Sequence, residues 1–79
     1  MNFTEQKKEY RNQWKKEFAH RLKARMEYLD ISQNELAKRT GIPQPVIGAY
    51  VHGRCMPLAM NIAKLAKALI MSSSELIDF

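Results

Sequence analysis

Few side chains in this chain of 79 residues are set up to make or break covalent bonds. Its one cysteine, Cys55, follows His52 by three positions, and two ligands do not make a metal site when a structural zinc takes four. His20 falls on the polar side of its segment and reads as solvated. No nucleophile stands beside a base, no carboxylates form a dyad and no glycine-rich loop is shaped to cradle a phosphate. The chain is therefore not expected to be an enzyme, nor to need a cofactor, a metal or a small-molecule substrate. What remains to it is recognition through charge and hydrogen bonds. The net charge is +5, and the excess is uneven: residues 1–56 hold eleven Lys and Arg against six Asp and Glu, whereas residues 57–79 hold two of each. A basic surface of this kind fits a polyanionic partner, ordinarily nucleic acid; the competing reading is that the charge serves solubility alone.

A chain this short must pack most of itself to be stable. Apolar residues make up 46% and charged ones 27%, a balance that argues against disorder. A single cysteine excludes an internal disulfide and suits a reducing cytoplasm. The start, MNFTEQKKEYR, lacks the apolar segment of a signal peptide, and no apolar run reaches the roughly 18 residues of a membrane span. A soluble cytoplasmic domain with no membrane partner is expected.

The elements that would carry recognition are read from spacing. Tyr10, Trp14, Phe18, Leu22 and Met26 recur every four residues, with Leu29 three further on, which predicts one amphipathic helix over about residues 5–29. SQNE, residues 32–35, fits a capping box of Ser32 with Glu35 and opens a short second helix with Leu36 and Ala37 inward. Gly41 supplies the positive-φ stop after it. HGRCMP, residues 52–57, is a loop with Gly53 as a second stop. Pro57 suits the first turn of a further helix from Leu58 to about Leu69, with Ala59, Ile62, Ala63, Leu65, Ala66 and Leu69 inward. Ser72 with Glu75 forms another capping box before Leu76 and Ile77, and Met26, Met60 and Met71 read as core filler. The fold class is all-α, with five helices.

PQPVIGAYVHG, residues 43–53, is the odd segment, with two prolines, two glycines and helical rather than strand spacing. Rotated at 100° per residue, Ile47, Tyr50 and Val51 fall on one side, with Val46 at the margin. Gln44, Pro45, Gly48, Ala49 and His52 fall on the other. A face meant only for water is normally filled with Lys, Glu or Arg, whereas Gly48 costs about 1 kcal/mol relative to alanine. A face kept this small admits a close approach. With the preceding short helix and Gly41, the spacing is that of a helix-turn-helix, whose second helix enters the major groove.

In order along the chain, Gln33, Leu36, Ala37, Gly41, Ile42, Ile47, Gly53, Pro57, Leu65, Ala66, Leu69 and Leu76 make the sequence resemble the lambda-repressor and Cro-like (XRE-type) helix-turn-helix proteins of phages and bacteria. The likeness covers about Phe18 to Ile77. It implies a compact five-helix DNA-binding domain over residues 18–79, preceded here by a basic, aromatic helical extension over residues 1–17. It implies a sequence-specific transcriptional regulator, a repressor, that binds double-stranded DNA as a homodimer, with half-sites about one helical turn (roughly 34 Å) apart. Carried over by position, Gln33 lies near a phosphate and braces Gln44. Gln44 reads a base; a Gln amide pairs bidentately with adenine, worth about 1–3 kcal/mol of discrimination. Pro45, Gly48, Ala49 and His52 fill the rest of the groove face, and Lys38, Arg39 and Arg54 are the candidates for phosphate contacts. The alternative is a protein-interaction module on the same fold, such as an antitoxin whose main ligand is a partner protein.

Four departures from the family pattern bear on these expectations. Met26 and Val51 stand where the family often pairs an arginine with a glutamate, and the two are expected to touch, since an apolar pair replaces a partly buried ion pair at little cost. Pro43 and Pro45 replace hydroxyl residues and remove amide donors. Pro45 and Ala49 cannot hydrogen-bond through their side chains, which leaves Gln44, His52 and thymine-methyl contacts and an A·T-leaning half-site. Ile70 stands where a glycine usually ends the fourth helix, so either the helix runs on or a branched residue takes a strained turn. Tyr10 and Trp14, ahead of the matched region, need a covering surface, either their own domain or, as favoured here, a second copy; the LIDF end is a second candidate contact.

Overall fold

Apolar side chains four residues apart build one long helix, and four shorter ones fold against its second half. The computed structural model describes residues 3–79, so Met1 and Asn2 of the extension lie outside it. The elements are α1 (Phe3–Leu29), α2 (Gln33–Thr40), α3 (Gln44–Val51), α4 (Ala59–Ala68) and α5 (Ser73–Ile77), with no strand among the described residues. The long axis of the molecule, 41 Å, is about the length of α1 itself, since 27 residues rise about 40 Å. No helix among the described residues is long and apolar enough to cross a membrane.

Every helix contributes to one core. Phe18 and Leu22 of α1, Leu36 of α2, Ile47 of α3, Leu65 of α4, Leu69 just beyond it and Leu76 of α5 are fully buried. Ile31 and Ile42 close the core from the two turns that flank α2. Phe18 meets Tyr50 edge-on, with ring centroids 6.0 Å apart. Met26 and Val51 both join this core and line the same shallow pocket. The stripe on α1 becomes core only at Trp14, which is half-buried, while residues 4–13 are exposed and Tyr10 is 68% accessible.

Helix α4 corrects the expected inward set. Leu58 is its extended N-cap, so Pro57 lies outside the helix rather than in its first turn. The inward stripe is Ile62, Leu65, Ala66 and Leu69, spaced i, i+3, i+4 and i+7. Ala59, Ala63 and Met60 lie further round the helix and are exposed, Met60 to 62%, so Met60 is not core filler.

Four of the helices end at a residue with positive φ. After α2 and α3 it is glycine, Gly41 at φ 76° and Gly53 at φ 67°. After α1 it is Asp30 at 55°, and after α4 it is Ile70 at 56°. Ile31 N–H donates to Met26 O (2.9 Å) and Met71 N–H to Ala66 O (3.0 Å), the six-to-one bonds of a Schellman turn. The helix at α4 therefore stops where glycine would have stopped it, and Ile70 takes the strained turn.

Candidate nucleic-acid interface

Helices α2 and α3 are joined by Gly41, Ile42 and Pro43 alone, and each residue has a distinct task. Gly41 N–H donates to Ala37 O (2.9 Å) and turns the chain. Ile42 plugs the core, with its amide donating to the Thr40 hydroxyl at 3.1 Å. Pro43 caps α3, its carbonyl accepting from Val46 (2.9 Å) and Ile47 (3.1 Å), while Pro45 brings no N–H at all. The first turn of α3 thus has little backbone donor capacity to offer, and recognition there falls to side chains.

The two faces of α3 divide as the wheel predicts. Ile47, Tyr50 and Val51 are buried, and the Tyr50 hydroxyl accepts from Asn61 Nδ2 at 2.8 Å, tying α3 to α4. On the other side, Gln44, Pro45, Gly48, Ala49 and His52 line one open groove together with Gln33 of α2 and Arg54 of the following loop. No acidic side chain lines it. Gln33 reaches over α3: a Cβ placed on Gly48 would lie 3.4 Å from its Oε1. No hydrogen bond joins Gln33 to Gln44 among the described residues; the two line the same groove, with the Gln33 amide lying near Gly48.

Lys38 and Arg39 do not line this groove. Both are exposed on α2, and Arg39 donates to Glu35 Oε1 at 2.7 Å. That pair also explains why only half of the Ser32 capping box forms. Glu35 N–H donates to Ser32 Oγ (3.1 Å), but the carboxylate turns to Arg39 four residues on. At α5 both halves are present, Ser72 with Glu75.

Two structural cations that resemble surplus surface charge in the sequence hold the turn after α4 and the end of α5. Arg25 donates from Nε to Leu69 O and from a terminal nitrogen to Ile70 O, both at 2.9 Å. Arg21 donates to Glu75 O (2.9 Å), pairs with Glu17 and lies 4.8 Å over the Phe79 ring. The available signal was Ile70 itself: a helix stop without glycine needs another group to hold it. The aromatic extension is partly accounted for in the same region. Trp14 stacks on Phe18 at 5.4 Å and meets Phe79 at 5.1 Å, so the extension and the LIDF end touch within one chain, while Tyr10 (68%) and Phe79 (46%) stay exposed.

The helix-turn-helix family model matches residues 22–76, from the buried half of α1 through α5. The chain belongs to this family, the XRE-type, lambda-repressor and Cro-like proteins, which are DNA-binding regulators and typically not enzymes. No curated protein and no solved structure matches the chain.

Proposed function

We propose that the protein is a sequence-specific transcriptional regulator, a repressor, that acts in the cytoplasm as a homodimer and reads duplex DNA by laying α3 in the major groove. The observation that carries this reading is the groove on α3, which joins one exposed amide and a run of small side chains to Arg54 and holds no carboxylate to repel phosphate. Gln44 is the base-reading group, with Pro45 and Ala49 positioned for thymine methyls, which favours an A·T-leaning half-site. Gln33, Arg54 and Lys38 are the backbone contacts, His52 completes the face, and Arg39 is the weaker candidate because Glu35 already holds it. The protein-interaction alternative draws less support from the aromatic extension, since Trp14 packs on Phe18 and Phe79 of the same chain; the exposed Tyr10 is the surface left for the second copy of the homodimer.

Selection of binding sites from a random duplex pool, followed by gel shift on the winner, tests the reading. Gln44→Ala is expected to lower affinity for the selected site by about 10-fold or more while leaving non-specific binding intact. Equal binding of all duplexes by both proteins, or G·C at every position whose preference depends on Gln44, would overturn it.

A further inference from the structure

The half of α1 that precedes the core lies outside the family match and has no assigned task. At 100° per residue, Lys8, Arg11 and Lys15 fall within about 60° of one another, in the same sector as Phe18, Leu22 and Met26. One stripe of α1 is thus apolar where it enters the core and cationic where it leaves it. Glu5 and Glu9, the acids of this stretch, sit about 90° or more away from the centre of the stripe. None of the three cations is ion-paired among the described residues.

The stripe also has a fixed place relative to the groove on α3. A Cβ on Gly53 would lie 3.5 Å from the Lys15 carbonyl oxygen and 3.7 Å from the Ala19 Cβ, so the end of α3 rests on α1 at the base of the stripe. Arg54, which lines the groove, is the next residue along. The cationic edge therefore runs from the groove at Arg54, past Lys15, onto Arg11 and Lys8 over about 10 Å of helix.

We infer that this projecting half-helix is a second contact element for duplex DNA, a rail of Lys8, Arg11 and Lys15 that follows the sugar-phosphate backbone beyond the base pairs read by α3. The inference rests on the DNA-binding reading above and adds to it a surface, a charge register and a footprint. DNA carries one phosphate charge per about 3.4 Å along each strand, so three cations over the length of this stripe find partners without the protein deforming. The contact is indifferent to sequence, because it meets phosphate alone.

The test is the salt dependence of binding by the full chain to a random-sequence duplex and to the selected site. The triple variant Lys8→Gln, Arg11→Gln, Lys15→Gln is expected to reduce the slope of log K against log salt by about 2.7, so that affinity falls about 40-fold less between 50 and 200 mM salt than for the parent. The loss is the same on both duplexes, circular dichroism is unchanged, and the hydroxyl-radical footprint shortens on its outer flank. A control with Lys16→Gln and Lys23→Gln, two exposed cations of α1 off the stripe, changes the slope by less than about 1. A parental slope in the triple variant, or an equal drop in the control, overturns the rail while the regulator reading stands. Failure of the parent protein to bind any duplex overturns both.

Discussion

Gly48 in the middle of α3 and Ile70 at the end of α4 are both poor choices for their backbone, and the molecule treats them in opposite ways. Glycine inside a helix costs about 1 kcal/mol relative to alanine, and nothing packed around Gly48 requires it: an added Cβ meets only the flexible tip of Gln33, at 3.4 Å. Ile70 adopts φ 56°, a conformation that costs an L-residue about 1–2 kcal/mol and is least suited to a β-branched one. Its side chain is 73% exposed, so burial does not compensate. The backbone around it does, through two Schellman bonds and the Arg25 guanidinium on the carbonyls of Leu69 and Ile70. A local cost offset from inside the molecule is a piece of architecture. A local cost left open, on a face free of acids, is what the proposed groove contact requires.

The sharpest way to break that contrast is to remove what holds α3 from behind. Ile47 is fully buried and is the central apolar anchor of a helix that Gly48 weakens. Ile47→Ala is expected to destabilise the fold by about 2–5 kcal/mol in urea denaturation. A cost below about 1 kcal/mol would mean that α3 stands on its own propensity. In that case the weakness of its outer face would carry no message.

That asymmetry also decides what was legible in the sequence. The two faces of α3, the stops at Gly41 and Gly53 and the core from Phe18 to Leu76 follow from periodicity and from residue types with one strong preference, and the structure places them as read. The groove members Gln44, Pro45, Gly48, Ala49 and His52 come together for the same reason, since a short helix has only one open side, and Gln33 of α2 and Arg54 of the following loop border it. Less legible was everything decided by a long, flexible side chain. Glu35 had two partners within reach and took Arg39 rather than the Ser32 amide. Arg21 and Arg25 have spacing indistinguishable from solvated charge, yet they cross to carbonyls more than forty residues away. Ala59, Met60 and Ala63 fall outside the core because the stripe of small and apolar residues on α4 is wider in sequence than the core it meets.

The second comparison concerns the other corner. Arg25→Ala removes two charge-assisted hydrogen bonds, one part-buried and one exposed, and is expected to cost about 1–2 kcal/mol. Ile70→Gly relieves the positive φ and is expected to stabilise by about 1 kcal/mol. The two are coupled, because Arg25 acts on the turn that Ile70 strains. In the glycine background the cost of Arg25→Ala should shrink by about 0.5 kcal/mol or more, a deviation from additivity that a double-mutant cycle by denaturant titration resolves. Strict additivity, or a loss of stability in Ile70→Gly alone, would show that the guanidinium merely decorates a turn that is stable without it.

The smallest expected change in stability is the most informative about the groove. Gly48→Ala places a methyl in ordinary contact with Gln33 and restores helix propensity, so stability should rise by up to about 1 kcal/mol. The same methyl stands on the open side of α3, between Gln44 and His52, where the close approach of a duplex would meet it. The variant is therefore expected to melt higher and to bind the selected duplex more weakly. Most mutations that weaken binding by damaging the fold move both quantities the same way, so opposite signs isolate the surface from the scaffold. If both stability and affinity rise, the glycine serves neither, and the contrast between a cost that is offset and a cost left open fails at its simpler end.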